Sequence, residues 1–236
     1  MCPLIAPLGD TALVVRVGAT IDESTRRQVL AVVRALAALR LPGTEVVPGF
    51  TTVTVHYDPA IVLHDAQDAA MPFDVVAAQV AAAIAALPDA DVNDGNDFEI
   101  PVCYGGEFGP DLDHVASRAR LSAQEVVERH GANDYRVCLL GFLPGFAYLG
   151  GLDPAIATPR RDSPRTAVAA GSVGIAGMQT GVYPCDSPGG WQLIGRSPLE
   201  FFDPLRTPPT LLAAGDRVRF RAIDRAEFDR LCARRA

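Results

Sequence analysis

The 236-residue chain is 49% apolar and 21% charged, a globular composition with room for one large domain or two small ones. Its formal net charge of −7 lies wholly in residues 1–97, where 5 Arg face 12 Asp and Glu, and no basic run occurs, which argues against nucleic-acid or anionic-membrane binding. All 21 cations are arginine, so a phosphate-loop lysine, a lysine Schiff base and a lysine general base are excluded. The nearest approach to a membrane span, residues 75–87, is short and alanine-rich and suits a core helix. The N-terminal apolar run has no basic start and reads as a first strand rather than a secretory signal. Five cysteines at 2, 103, 138, 185 and 232 form no CxxC pair, so a reducing cytoplasm is expected, without a disulfide framework or zinc site.

In chain order, residues 11–17 (TALVVRV) predict a strand by their β-branched content. Asp22 can cap a helix whose apolar face is Val29, Val33, Leu36 and Leu39, ended by Leu41-Pro42-Gly43. Residues 45–47 and 51–57 predict two strands joined across Pro48-Gly49. Pro72 and Asp74 open a second helix with a stripe of Val76, Val80, Ile84 and Leu87, stopped at Leu87-Pro88. The acidic, turn-rich stretch 89–97 reads as a linker, and 98–104 (FEIPVCY) resumes as a strand. The order β-α-β-β-α-β is the ferredoxin-like arrangement, its last strand open to sharing with the next region.

Beyond Gly105-Gly106, residues 112–118 predict a short helix, and Ser122 with Glu125 has the spacing of a capping box on another that ends near His130-Gly131. Residues 135–140 predict a strand. Short apolar runs follow, divided by glycine and proline, as in a β-barrel or sandwich, and a last helix is expected over 224–233. The chain is therefore expected to be α+β: a ferredoxin-like α/β domain over 1–90, then a β-rich domain over 91–236.

Residues 141–196 hold eleven of the 21 glycines and the single tryptophan. Glycine in such density serves either tight barrel corners or a surface lined by loop backbone. GFLPGF (141–146) is not a dinucleotide fingerprint; it predicts a turn displaying Phe142, Phe146 and Tyr148 on one edge. TPRRDSPRT (158–166) sets Arg160, Arg161 and Arg165 around two X-Pro breaks, either for an anion or subunit contact or paired with Asp162 and Asp153. In GSVGIAGMQTGVYP (171–184), amides at Gly171, Gly174, Gly177 and Gly181 can form an anion nest, or the glycines can mark strand crossings where a Cβ will not fit. Gln179, Thr180 and Tyr183 add polar side chains there, and Trp191 and Arg196 follow in SPGGWQLIGR. The four histidines, 56, 64, 114 and 130, show no metal spacing, so no metal is expected. His130, Gln179 and Tyr183 are the candidate catalytic side chains. Phe142, Phe146, Tyr148, Arg160, Arg165, Gly171, Ser172, Gly174, Thr180, Trp191 and Arg196 are the candidate substrate- or anion-binding residues.

The run from Gly141 to Pro204, with PLGDTALVV, VVPGFTTVTVHYDP, YGGEFGPDLDHVA and GDRVRF elsewhere, closely resembles the KipI family, also called allophanate hydrolase subunit 1 or the B-type subunit of 5-oxoprolinase. Ala147 stands where the family usually has proline and Met178 where glycine is common. The resemblance implies a small α/β domain followed by a cyclophilin-like β-barrel. It implies a cytoplasmic subunit of an ATP-dependent 5-oxoprolinase, inactive alone, with an allophanate hydrolase subunit 2-type partner and a lactam-utilisation-type subunit sharing or binding the ATP. Two other branches of the resemblance imply a carboxyltransferase half-site using carboxybiotin, or an inhibitor of a sensor histidine kinase.

Overall fold

Strands β1 (Leu4–Pro7), β2 (Ala12–Arg16), β3 (Thr44–Pro48) and β4 (Thr52–Tyr57) form an antiparallel sheet in the order β1-β2-β4-β3. The computed structural model describes residues 4–64, 71–87 and 95–234. The chain divides into two units, Met1–Asn93 and Asp94–Ala236. In the first, Asp22 caps α1 (Glu23–Leu39) by accepting from the Thr25 N–H, and Arg40 closes the helix in the left-handed conformation. α2 (Pro59–His64), a short helix the sequence did not announce, starts where Asp58 Oδ1 accepts from the Ala60 N–H at 2.8 Å. α3 (Pro72–Ala85) follows. Leu13, Val15, Val53 and Val55 of the sheet pack with Val29, Val32 and Leu36 of α1 and Val76 and Val80 of α3. Leu39, expected on the buried face, is exposed, because the helix ends there and turns away.

The β-α-β-β-α-β order needs correcting. The strand found at 98–104 belongs to the second unit, as β5 (Asp97–Tyr104). The place beside β2 is taken by β1, split from it by a turn at Gly9, whose φ of +67° suits glycine. The expected Pro88 stop, the linker as far as Asp94, and Cys2 lie outside the described residues.

The second unit continues with α4 (Leu112–Ala119), α5 (Ala123–Ala132), β6 (Tyr135–Leu140), β7 (Ala147–Gly150), β8 (Arg165–Val168), β9 (Ser172–Ala176), β10 (Gln179–Val182), β11 (Ser187–Gly189), β12 (Gln192–Arg196), β13 (Arg217–Ile223) and α6 (Arg225–Ala233). Seven strands close a barrel in the order β10-β7-β6-β13-β5-β12-β9, and β8 and β11 form a separate two-stranded ribbon. Among the described residues only the β5–β13 pair is parallel. The capping box of Ser122 and Glu125 opens α5 as read from sequence. α4 lies against β12, α5 against β13 and α6 against β5. One core draws on all seven strands, with Val102, Val137, Leu149, Val173, Ile175, Val182, Ile194 and Val218 among its members, joined by Val115 and Val126 from the helices. No helix among the described residues is long and apolar enough to cross a membrane.

Candidate functional site

Strand side chains alternate between faces, so residues one step along from the barrel core meet on its other side. There Phe146, Ala176, Tyr183, Trp191 and Leu193 form a second buried cluster, with Leu143 and Tyr148 packed on it. The 141–146 turn presents this cluster. Phe142 sits at φ +71°, a conformation a phenylalanine rarely adopts, and is 62% exposed. Its ring meets Phe146 edge-on at 5.6 Å. Phe146, fully buried, also takes Tyr148 at 4.9 Å, Tyr183 at 5.2 Å and Trp191 at 5.3 Å in T-shaped contacts.

The glycines serve these rings. A Cβ on Gly174 would lie 3.0 Å from the Trp191 Cβ, and one on Gly181 would lie 2.8 Å from the Ala147 carbonyl oxygen and 3.2 Å from the indole. One on Gly189 would strike the Tyr183 ring. The anion-nest reading is corrected by the backbone: the Gly171 N–H donates to the Tyr183 oxygen and the Gly177 N–H to the Thr158 oxygen, while Gly174 and Gly181 sit in the β9–β10 ladder.

The arginine loop lies beside the rings. The Arg161 N–H donates to the Gly190 oxygen at 2.8 Å, and Gln192 Nε2 donates to the Pro159 oxygen at 3.0 Å. Arg161 and Arg165 do not pair with Asp162 or Asp153; Asp153 takes Arg129 instead. Both converge on Asp111, whose Oδ1 accepts from Arg165 Nη2 at 2.8 Å and Arg161 Nη1 at 3.1 Å, while Oδ2 accepts from the Leu193 N–H at 2.7 Å. Arg161 Nε and Arg165 Nη1 are buried without an acceptor among the described residues. Two guanidiniums over one carboxylate leave this patch net positive, and exposed Arg160 adds to it. Asp111 was missed from sequence because some fifty positions separate it from its arginines, beyond the reach of any local spacing rule.

Tyr183 is buried beside this loop. Burial raises its phenol above the ordinary tyrosine value, and Trp191, Arg160 and Arg165 only partly oppose that, so it stays protonated. Gln179 stands half-buried on β10, two residues before Gly181 and so on the face that carries Tyr148 and Trp191.

His130 and Thr180 are elsewhere. Both are fully buried. His130 stacks on Phe220 at 4.4 Å between ring centroids. The Thr180 hydroxyl donates to the Gly174 oxygen at 3.0 Å, so it accepts from His130 Nε2 at 2.9 Å; Nδ1 then accepts from the Tyr104 hydroxyl at 2.7 Å. Burial lowers the imidazole pKa to about 3, which keeps it neutral. Gly171, Ser172 and Arg196 form a third place, where the paired ends of β9 and β12 bring Ser172 opposite Arg196. No three His, Cys, Asp or Glu side chains among the described residues gather as metal ligands.

Residues 3–212 match the family model described as "Carboxyltransferase domain, subdomain C and D". The chain belongs to this family. It is 47% identical to the B-type subunit of 5-oxoprolinase from Bacillus subtilis (strain 168) over 227 residues, covering 95% of this chain and 94% of that one. Among solved structures, TTHA0988 superposes with a TM-score of 0.76 at 37% identity over 90% of this chain, which spans only 40% of the solved one. The Kluyveromyces lactis urea amidolyase superposes with a TM-score of 0.78 over 96% of this chain and 15% of its own, at 19% identity, a likeness of fold alone.

Proposed function

We propose that this protein is a subunit of an ATP-dependent 5-oxoprolinase, converting 5-oxoproline, ATP and water to glutamate, ADP and phosphate. The observation that carries the reading is the near full-length match to a protein named as a 5-oxoprolinase subunit. The reading places the protein in the cytoplasm and takes its two units as variants of the ferredoxin-like and cyclophilin-like folds.

The active unit is a complex with an allophanate hydrolase subunit 2-type protein and a lactam-utilisation-type protein. Two observations support an incomplete site on this chain. TTHA0988 carries the equivalent of this chain as two fifths of a longer one. The aromatic–arginine face presents Phe142 to solvent although Phe146, which its ring touches, is buried. A lactam carbonyl resists water until it is activated, and activation by phosphate makes the bound species anionic. Arg160 and Arg165 would hold that charge, with Tyr148 and Trp191 as the apolar wall. Gln179 would donate to the substrate's oxygens; Tyr183, fully buried, would back the ring wall from within, and His130 holds the barrel and acts only through it.

The residues of this chain do not fit a triphosphate on their own. It has no lysine, and the amides of Gly171 and Gly177 are already bonded. ATP is therefore assigned to the partner subunits.

The test is co-expression with both partners and an assay for glutamate and ADP. Activity should need all three proteins. Arg165→Ala should cut the rate on the order of a hundredfold in an assembled complex; a wild-type rate there would remove the loop from the mechanism. The family description favours one alternative, carboxyl transfer, which predicts instead that a biotin carboxyl carrier binds the complex and 5-oxoproline is untouched.

A further inference from the structure

The second unit has a cleft that the aromatic–arginine face does not account for. It measures about 400 Å³ and is lined on one side by Arg196, Ser197, Leu199 and Glu200, on the other by Phe228 and Cys232 of α6. That volume suits a small molecule.

Its cation is built in. Arg196 Nε is fixed by the Ala170 oxygen at 2.8 Å, and the guanidinium carbon stands 5.8 Å over the Phe108 ring. An arginine anchored at Nε and on its face keeps its terminal nitrogens as a pre-oriented fork, the geometry that suits a carboxylate. The adjoining backbone is shaped around this wall. Gly171 adopts φ +82°, and a Cβ there would fall 2.3 Å from the Ser197 oxygen, so no other residue lets the chain pass so close. The Ser197 N–H donates to the Gly171 oxygen at 2.8 Å, tying the two segments together. Glu200, which already has an interaction partner, adds a carboxylate whose other lone pairs can accept N–H donors. The floor from Phe228 and Leu199 is apolar.

We propose that this cleft binds a small carboxylic acid that also bears an N–H donor: an amino acid or a lactam acid. Arg196 takes the carboxylate, Glu200 faces the N–H, and Phe228 with Leu199 covers the carbon skeleton. The 5-oxoprolinase reading guides the choice of probe, since 5-oxoproline and glutamate both have this chemistry, but binding here needs no partner protein.

The experiment is a titration of the isolated, full-length, isotope-labelled chain, followed by amide chemical shifts. Four probes are used: 5-oxoproline, glutamate, 2-pyrrolidone, which lacks the carboxylate, and acetate, which lacks the N–H. The first two should give saturable shifts at residues 196–200 and 228–232. The other two should bind about tenfold more weakly or worse. Arg196→Gln should weaken 5-oxoproline binding at least about tenfold, and Cys232→Phe, which fills the cleft without touching the charge, should do the same. Shifts confined to 160–165 and 189–192, or no saturable shift with any probe, would overturn the proposal; the wild-type map decides it even if a variant fails to fold. The assembled-complex assay is separate, so a silent cleft leaves the 5-oxoprolinase reading standing, and an inactive complex leaves the cleft to be judged by its own shifts.

Discussion

Asp111 shows how one buried carboxylate can set a loop in place. It answers three donors from distant parts of the second unit, two of them guanidiniums. Asp111→Asn keeps the shape but loses the charge, and each hydrogen bond to a charged group is worth more than a neutral one. The arginine side chains keep 36% and 22% exposure, which limits the cost relative to a fully buried pair. The expected loss is about 2 kcal/mol, read from urea unfolding. Gly189→Ala should cost a similar amount, about 1–3 kcal/mol, because the rigid Tyr183 ring has no room to yield. A near-zero change would mean that the β8–β11 ribbon floats. The residues of this site were legible in sequence as types but not as partners. GFLPGF read correctly as a turn that gathers rings, because glycine, proline and aromatics have strong local preferences, but of the three rings expected on display only Phe142 is exposed and Phe146 is buried. Which carboxylate met the arginines depended on the barrel closing; in one dimension Asp153 and Asp162 were the candidates, and Asp111, some fifty positions away, was not among them.

At the scale of elements, the chain Tyr104–His130–Thr180–Gly174 ties α5 and three barrel strands with one proton arrangement. Thr180→Val keeps the volume and orphans His130 Nε2; the expected destabilisation is about 2 kcal/mol. The imidazole also sets an acid limit. Its folded pKa of about 3 lies below its ordinary value of 6.5. As pH falls through 6.5 the unfolded chain takes up a proton that the folded barrel refuses, so stability drops by up to about 1.4 kcal/mol per pH unit until about pH 3. Denaturant titrations between pH 6.5 and 5, above the range of ordinary carboxylates, isolate this contribution; His130→Phe should flatten the slope. In the first unit Glu23, held by Arg26 and Arg27 at a pKa of about 2, is fully ionised above 4.5 and its stabilisation is lost only as pH falls toward 2. Helices were the readable elements, since caps such as Asp22 and the Ser122–Glu125 box are local. β1 and the short α2 were not, because each is too brief for periodicity to register.

For the whole molecule, each unit owns a hydrophobic core. Residues 94–236 expressed alone should give a dispersed amide spectrum and a cooperative melt that keeps the His130 acid slope; a collapsed spectrum would show that the barrel needs residues 1–93. Fold class was legible from the rhythm of short strands, but membership of the sheets was not: nothing local distinguishes a strand that ends one unit from a strand that begins the next. The barrel is shut by the parallel pairing of β5 with β13, and Asp97 meets Arg217 across 120 positions. During synthesis β5 therefore leaves the ribosome long before the strand that covers it. While the intervening residues are made, its edge stays open to chaperones, to other nascent chains and to proteases. Yield in the cell should then depend on how quickly translation reaches Ile223, and a ribosome stalled short of that point would release a chain with seven-strand chemistry and only six strands.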